Sequence, residues 1–465
     1  MVVGGVDSML DERSTRSRVA QRLDELPVTR THLRVVLAVG LGLFFDMYEV
    51  FLAGTVSTAL TSKFGLSGTG LALVLASAFL GMFVGAFFVS RLADRLGRRR
   101  LFLFSLLWYS LFSLLGAFSP NAATVVACRF LAGVGVGAEY PVSDAYLSDV
   151  LPAGSRGRLA AWAYTCSFLA VPVLGFLSLG LATQSPLGID GWRWLLAIGA
   201  VGAIGVLVLR RRLPESPRWL ESVGRHDEAE RALEEFAQAK PLRRQPSPSP
   251  FTATTPSGEA KKPLTTAALA KQPYRGRMLM LGAFHLLQTF GYYGFGTLAV
   301  LVLASRGFTV QHSLLYTALS FLGYPIGSLL SVPLIHRIER KFLVIGSVIG
   351  MAVVGILFAT AGSPALIVIA GFAFTAISNI FSNAYHIYQA EIFPTELRAS
   401  ATGWTYSLSR LATGAMPFLL LPLLNTGGST VVFTVVAAAL VLVAVDVAVL
   451  GPRTSGRSVE AINPR

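Results

Sequence analysis

Long apolar runs alternate with short polar breaks along nearly the whole chain. The runs reach about 20 residues or more, long enough to cross a hydrocarbon core roughly 30 Å thick. Inside lipid every backbone N–H and C=O needs an internal partner, which leaves helices and closed barrels. The runs are continuous rather than alternating with period two, and this selects helices. The pattern predicts spans at residues 33–60, 70–90, 100–119, 122–150, 159–183, 192–213, 275–304, 313–336, 342–361, 364–392, 399–424 and 429–450. Twelve crossings place both termini on one side.

One polar stretch is much longer than the others. Residues 214–274 open with Pro214-Glu215-Ser216-Pro217-Arg218-Trp219-Leu220, continue through a charged helical stretch from Glu221 to Ala239, and end in a Pro/Ser/Thr-rich run from Pro241 to Pro263. The last has the composition of a flexible linker. The expected organisation is a tail at 1–32, a six-helix bundle at 33–213, a linker at 214–274, a second six-helix bundle at 275–450 and a tail at 451–465. Residues 1–32 are polar and basic with no apolar core of a signal peptide, so span one is expected to act as its own signal. With 53% hydrophobic and 14% charged residues among 465, and a mean hydropathy of +0.61, the chain has too little charge to cover a soluble surface.

The net charge of +14 would suggest nucleic acid if it were clustered. It is instead distributed by side. Nearly all Lys and Arg outside the spans fall on the side of the termini, whereas the opposite loops hold Lys63 and Arg306. Under the positive-inside rule this predicts a multi-pass protein of the plasma (inner) membrane with both termini cytoplasmic, and no nucleic-acid partner. Two cysteines, Cys128 and Cys166, both in apolar runs, cannot make a disulfide framework or a zinc site. No metal and no cofactor are expected.

The two halves repeat. A shift of 242 residues carries Asp94-Arg95-Leu96-Gly97-Arg98-Arg99 onto His336-Arg337-Ile338-Glu339-Arg340-Lys341. The same shift carries Tyr146, Asp149, Pro152 and Arg156 onto Tyr388, Glu391, Pro394 and Arg398. A duplicated six-helix unit is a common transporter construction, with the substrate site between the halves near the midplane.

At these loops the chain resembles the major facilitator superfamily. Arg91-Leu92-Ala93-Asp94-Arg95-Leu96-Gly97-Arg98-Arg99 resembles its signature loop between helices two and three. Pro214–Leu220 resembles the segment after helix six in the sugar-porter branch, and Glu391-Ile392-Phe393-Pro394-Thr395-Glu396-Leu397-Arg398 resembles that branch's helix-ten ending. The tail from Gly451 to Ile462 looks like a worn sugar-porter tail. The implied fold is all-α, with twelve transmembrane helices in two pseudo-symmetric six-helix bundles. Sugar porters carry glutamines in helices five and seven and a Trp before the helix-ten Glu. Here helix five has none before Gln184, helix seven has Gln288 alone, and His386 stands at the Trp position. Phe45-Asp46-Met47-Tyr48-Glu49, Gly137-Ala138-Glu139 and Ser409-Arg410-Leu411 look instead like the niacin and aromatic-acid symporter relatives. The resemblance implies a small organic acid or similar metabolite as substrate.

Ionisable residues inside spans are costly and usually face a cavity or a partner. Asp46 and Glu49, three apart in span one, share a helix face. At about 1.5 Å per residue, Glu49 lies roughly 16 Å and Arg129 roughly 10 Å from the outer ends of their spans, so the two can meet. A neighbouring guanidinium favours the ionised carboxylate and burial the protonated one, a conflict suited to proton binding. The resemblance implies the same pairing, and makes Asp46, Glu49, Arg129 and Glu139 the candidate proton-coupling set. A fixed structural ion pair is the bland alternative. Gly133, Gly135 and Gly137 sit inside an apolar span and are read as helix-packing residues rather than a nucleotide loop. Arg410, roughly 16 Å into span eleven, keeps its charge and must find an anion, a carbonyl or water. With Gln288, Tyr292, Tyr293, His386 and Trp404 it is a candidate substrate site. Asp94, Arg98, Arg99, Asp149, Arg156, Glu391 and Arg398 are candidates for a cytoplasmic gate that latches the inner ends of the bundles.

The leading expectation is a monomeric, proton-coupled symporter working by alternating access, with a small molecule, protons and the bilayer as partners. A sugar:proton symporter, an uncoupled facilitator or exporter, and a non-transporting sensor are the alternatives. No Walker, HExxH or GxSxG motif supports an enzyme.

Overall fold

The computed structural model describes residues 19, 21–66, 68–89, 92, 96–152, 154–182, 184–238, 266–454 and 462, without the side chains of 266, 336, 395, 396 and 398–400. Asp94 and the Pro/Ser/Thr-rich part of the linker lie outside the described residues, as does the side chain of Arg398.

Each apolar run is a helix, because only an internally hydrogen-bonded backbone can be surrounded by apolar groups. The first six spans are Arg30–Phe64, Gly68–Val89 with a π turn over Gly85–Val89, Arg98–Ala117, Ala122–Val150, Arg156–Leu181 interrupted at Leu169, and Gly191–Arg210. Spans seven to ten are Tyr274–Ser305, Val310–Arg337 interrupted at Leu322, Arg340–Thr360 and Pro364–Glu391. Thr395–Leu450 then runs for 56 residues. A straight helix of that length would reach roughly 84 Å, more than twice the hydrocarbon thickness. Gly428 breaks it, at φ 69° and ψ −172°, a conformation open to a residue without Cβ. Spans eleven and twelve are therefore one helical run folded at a single glycine.

The linker differs from its expected single stretch. Pro217–Ser222 and His226–Ala237 are separate short helices, the first capped by Ser216, whose hydroxyl accepts from the Trp219 amide at 3.0 Å. A further helical turn at residues 21–25, absent from the expected polar tail, buries Leu23. Its Asp24 meets Arg156 at 3.1 Å and Arg218 at 2.7 Å.

Between the halves, span one packs on seven, two on eleven and five on eight. Backbones of the two halves meet at Gly54, where a Cβ would lie 2.7–2.9 Å from the backbone of Gly296 and Thr297. Inside the first half, Gly133 and Gly137 let span four ride against Ala78 and Met82 of span two. The loops repeat faithfully. Tyr146 donates to the Pro214 carbonyl at 2.7 Å after span six, and Tyr388 donates to the Pro452 carbonyl at 2.9 Å after span twelve.

Candidate functional site

The first bundle holds a line of buried charge. Span one presents Asp46 and Glu49 one turn apart, both fully enclosed. Arg129 of span four reaches Glu49 twice, from Nη1 to the carboxylate at 3.0 Å and from Nη2 to the backbone carbonyl at 3.1 Å. Ser113 of span three donates to the other carboxylate oxygen at 3.0 Å. Further along span four, Glu139 forms an ion pair with Arg210 of span six and accepts from Ser105 at 3.3 Å. Arg210 also donates to the carbonyls of Ala38 and Val39 at 3.0 and 3.2 Å, and its guanidinium lies 4.6 Å from the Phe102 ring centre. A methyl group on Gly42 would collide with that guanidinium and lie 2.7 Å from Glu139. Asp46 stands among Glu139, Arg210, Glu49 and Arg410, and neither of its carboxylate oxygens has a hydrogen-bond partner among the described residues.

Arg210 was not a sequence candidate. It abuts Arg211 and Arg212 at the end of span six and reads with them as linker charge, yet it is 1% exposed whereas its two neighbours face outward. The unanswered carboxylate of Glu139 was the available signal, since a second buried acid calls for a second buried cation.

Between the halves lies a cavity of about 1140 Å³. Its mouth carries Arg156, Arg158 and Arg340, so it opens at the end of the bundle that bears the termini. Its inner surface is aromatic, formed by Tyr140, Tyr292, Tyr293, Tyr385, His386 and Tyr406. Each wall carries a polar pair: in the second half Asn383 donates to Ser331 at 2.7 Å, and in the first half Tyr164 donates to Asp144. The far end is shut by the contact at Gly54 and by Gly175, where a Cβ would lie 2.9 Å from Ala318.

Arg410 lies directly behind this cavity, in a narrow void that it shares with Tyr140 and Tyr406. It is 3% exposed. Nη2 donates to the Tyr406 hydroxyl, and the guanidinium lies 4.9 and 4.7 Å from the ring centres of Tyr293 and Tyr406. Nη1 has no hydrogen-bond partner among the described residues.

The other candidates divide. His386 lines the cavity and lies 3.3 Å from Gln389, which also meets His285 at 3.1 Å. Gln288 is buried, with neither amide atom partnered among the described residues. Trp404 corrects the sequence reading. It is 44% exposed, and the residues of its helix that line the cavity are Thr402 and Tyr406. A step of two residues turns a helix by about 200°, so Trp404 faces away from the site.

The loop charges pair within each half. Arg98 meets Asp149 at 3.5 Å, and the repeat equivalents Arg340 and Glu391 meet at 3.4 Å. Asp149 also accepts from Ser216 at 3.0 Å, and the Arg99 amide donates to Glu215 at 3.1 Å. Burial pushes the Glu215 carboxyl above its ordinary range, against the pull of the Ser216 and Arg99 amides. The pairs just named each join helix ends of one bundle, Arg98 to Asp149 in the first half and Arg340 to Glu391 in the second.

Comparison with known proteins places these features in a wider setting. Residues 35–465 match the family described as Sugar (and other) transporter. YyaJ of Bacillus subtilis (strain 168), named for metabolite transport, is 33% identical over 398 residues, covering 85% of this chain and 87% of the relative. The niacin transporter NiaP of Acinetobacter baylyi is 28% identical over 445 residues, covering 96% and 99%. The xylose transporter XylE from E. coli, in an inward open conformation, shares the fold with a TM-score of 0.71 at 20% identity, over 92% of this chain and 98% of that one.

Proposed function

Because the chain belongs to the sugar (and other) transporter family of the major facilitator superfamily, multi-pass membrane transporters of small metabolites and not enzymes, we propose that it carries a small aromatic or similarly flat organic acid, coupled to protons. The observation that carries this reading is Arg410. A guanidinium cannot shed its proton, and here it is buried among tyrosines with one amino group unpartnered among the described residues. A carboxylate in bidentate geometry would satisfy it. The rings of Tyr140, Tyr292, Tyr293 and Tyr406 give such a ligand a flat apolar seat beside the guanidinium.

Proton coupling is supported by the other half. Asp46 is a buried acid without a hydrogen-bond partner among the described residues, one turn from a carboxylate held by arginine. Movement of Arg129 away from Glu49 during alternating access would alter which carboxylate holds a proton. By the charge asymmetry of the loops, the termini and the cavity mouth are cytoplasmic. The niacin transporter among the relatives agrees with a small aromatic acid as substrate. A second reading, a neutral sugar, is favoured by the Asn383–Ser331 wall and by Gln288, whose amide has no hydrogen-bond partner among the described residues.

Uptake into proteoliposomes under an imposed pH gradient, with nicotinate, benzoate and xylose as probes, separates these readings. Arg410→Gln is expected to weaken binding of the acids by about tenfold to a hundredfold, the range of a charge-assisted hydrogen bond. Arg410→Lys is expected to recover only part of it, because an ammonium has no planar fork. Uptake of xylose but of neither acid by the unmodified protein would replace the organic-acid reading with the sugar one.

A further inference from the structure

Span three carries three hydroxyl side chains at four-residue spacing, Ser105, Tyr109 and Ser113. Residues four apart lie on one helix face. That face is turned towards the buried charges. Ser105 donates to Glu139 at 3.3 Å and Ser113 to Glu49 at 3.0 Å. Tyr109 sits between them, 1% exposed, and its hydroxyl has no hydrogen-bond partner among the described residues. The buried carboxylates whose charge acts on it most are Asp46, Glu139 and Glu49, in that order. Asp46 is itself unpartnered at both oxygens among the described residues.

A close helix approach holds this face in place. At Gly135 of span four, a Cβ would lie 2.8 Å from the Ser105 carbonyl and 2.9 Å from the Tyr109 Cβ. Any side chain at that position would push span three, and its hydroxyls, away from the carboxylates. A buried phenol and a buried carboxylate, both without a hydrogen-bond partner among the described residues, are an expensive combination for packing alone.

We infer that Ser105, Tyr109 and Ser113 form a hydroxyl line that positions the three buried carboxylates and passes a proton among them, with Tyr109 relaying to and from Asp46. The inference deepens the proton-coupling reading above and rests on it. In the step, which requires Asp46 and the phenol to close to hydrogen-bond distance, protonated Asp46 gives its proton to the phenol oxygen as the phenol's own proton leaves for the carboxylate of Glu49 or Glu139. One O–H bond breaks and one forms at each transfer, and Tyr109 stays neutral. Ser105 is prepared for both protonation states of Glu139, because the Phe102 carbonyl at 3.1 Å offers an alternative acceptor. The charges around the line are Asp46 and Glu49 of span one, Arg129 and Glu139 of span four, Arg210 of span six and Arg410 of span eleven.

The test compares Tyr109→Phe with the unmodified transporter in proteoliposomes, with labelled nicotinate as probe. Exchange at equal pH is expected to stay at the wild-type rate. Accumulation driven by a pH gradient, and the proton uptake that accompanies it, are expected to fall by about a hundredfold, the lower end of what positioned proton transfer supplies. Ser113→Ala is expected to slow accumulation and Ser113→Thr, which keeps the hydroxyl, to restore it. Full accumulation by Tyr109→Phe would overturn the relay. So would equal loss of exchange and accumulation, which marks a merely structural residue. If the unmodified protein exchanges nicotinate without accumulating it, the coupling reading fails and the relay with it. If it does neither, the organic-acid reading is what fails first.

Discussion

The two bundles share a scaffold and differ in what they bury. A shift of 242 residues maps Asp46 onto Gln288, Glu49 onto Gly291, Arg129 onto Gly371 and Glu139 onto Phe381. Every charge in the core of the first half becomes neutral in the second. At the loops the same shift preserves chemistry, with Arg98–Asp149 answered by Arg340–Glu391. The second half instead buries aromatic rings, His285 and Arg410, and sets His386 on the cavity wall. Helix ends must satisfy the same backbone groups in both copies, so their networks persist. Core positions carry no such obligation, and the copies have specialised into a charged half and an aromatic half.

The sharpest way to break this comparison is to substitute one buried polar position in each half. Glu49→Gln is expected to reduce gradient-driven accumulation to the passive level while substrate exchange continues. Gln288→Ala is expected to change the substrate concentration at half-maximal rate and leave the accumulation ratio alone. Paired counterflow and gradient assays on both variants check this, and loss of coupling in Gln288→Ala would dissolve the division of labour.

A smaller effect concerns stability. Glu139→Ala strips Arg210 of its counter-charge inside the bundle, a change that costs about 3–5 kcal/mol when one partner of a buried pair is removed. Gly42→Ala is expected to act in the same direction by displacing the guanidinium. Thermal unfolding in detergent measures both. A Glu139→Ala protein as stable as the parent would show that the pair is not fixed in the resting state.

The smallest effects belong to the loops, where the halves agree. Asp149→Asn and Glu391→Gln are each expected to cost about 1 kcal/mol or less, as for partly solvated pairs, and to do so nearly equally. Unequal losses in the same melts would show that the loop symmetry is one of shape and not of energy.

Much of this was legible in the sequence because lipid imposes length and apolarity on each span. The repeat offset and the meeting of Glu49 with Arg129 needed only helical rise and sequence position. What escaped depended on direction. Trp404 and Tyr406 look equivalent by composition, but two residues of helical rotation send one outward and the other to the cavity. Arg210 reads like Arg211 and Arg212, although one more turn of span six carries it inward. The Asp24 contacts join segments far apart in the chain, and no local pattern announces them.

Where Gly54 faces Gly296 and Thr297, the two halves meet backbone to backbone. From that point to the start of span one at Arg30 is a lever arm of roughly 36 Å. A tilt too slight to disturb packing at that contact is multiplied along this arm. It becomes a displacement of several ångströms where Arg156 and Arg340 stand. Opening the mouth by such a tilt would turn on a contact made largely of backbone atoms, with the Phe51 ring against Gly296 as the side chain that has to give way.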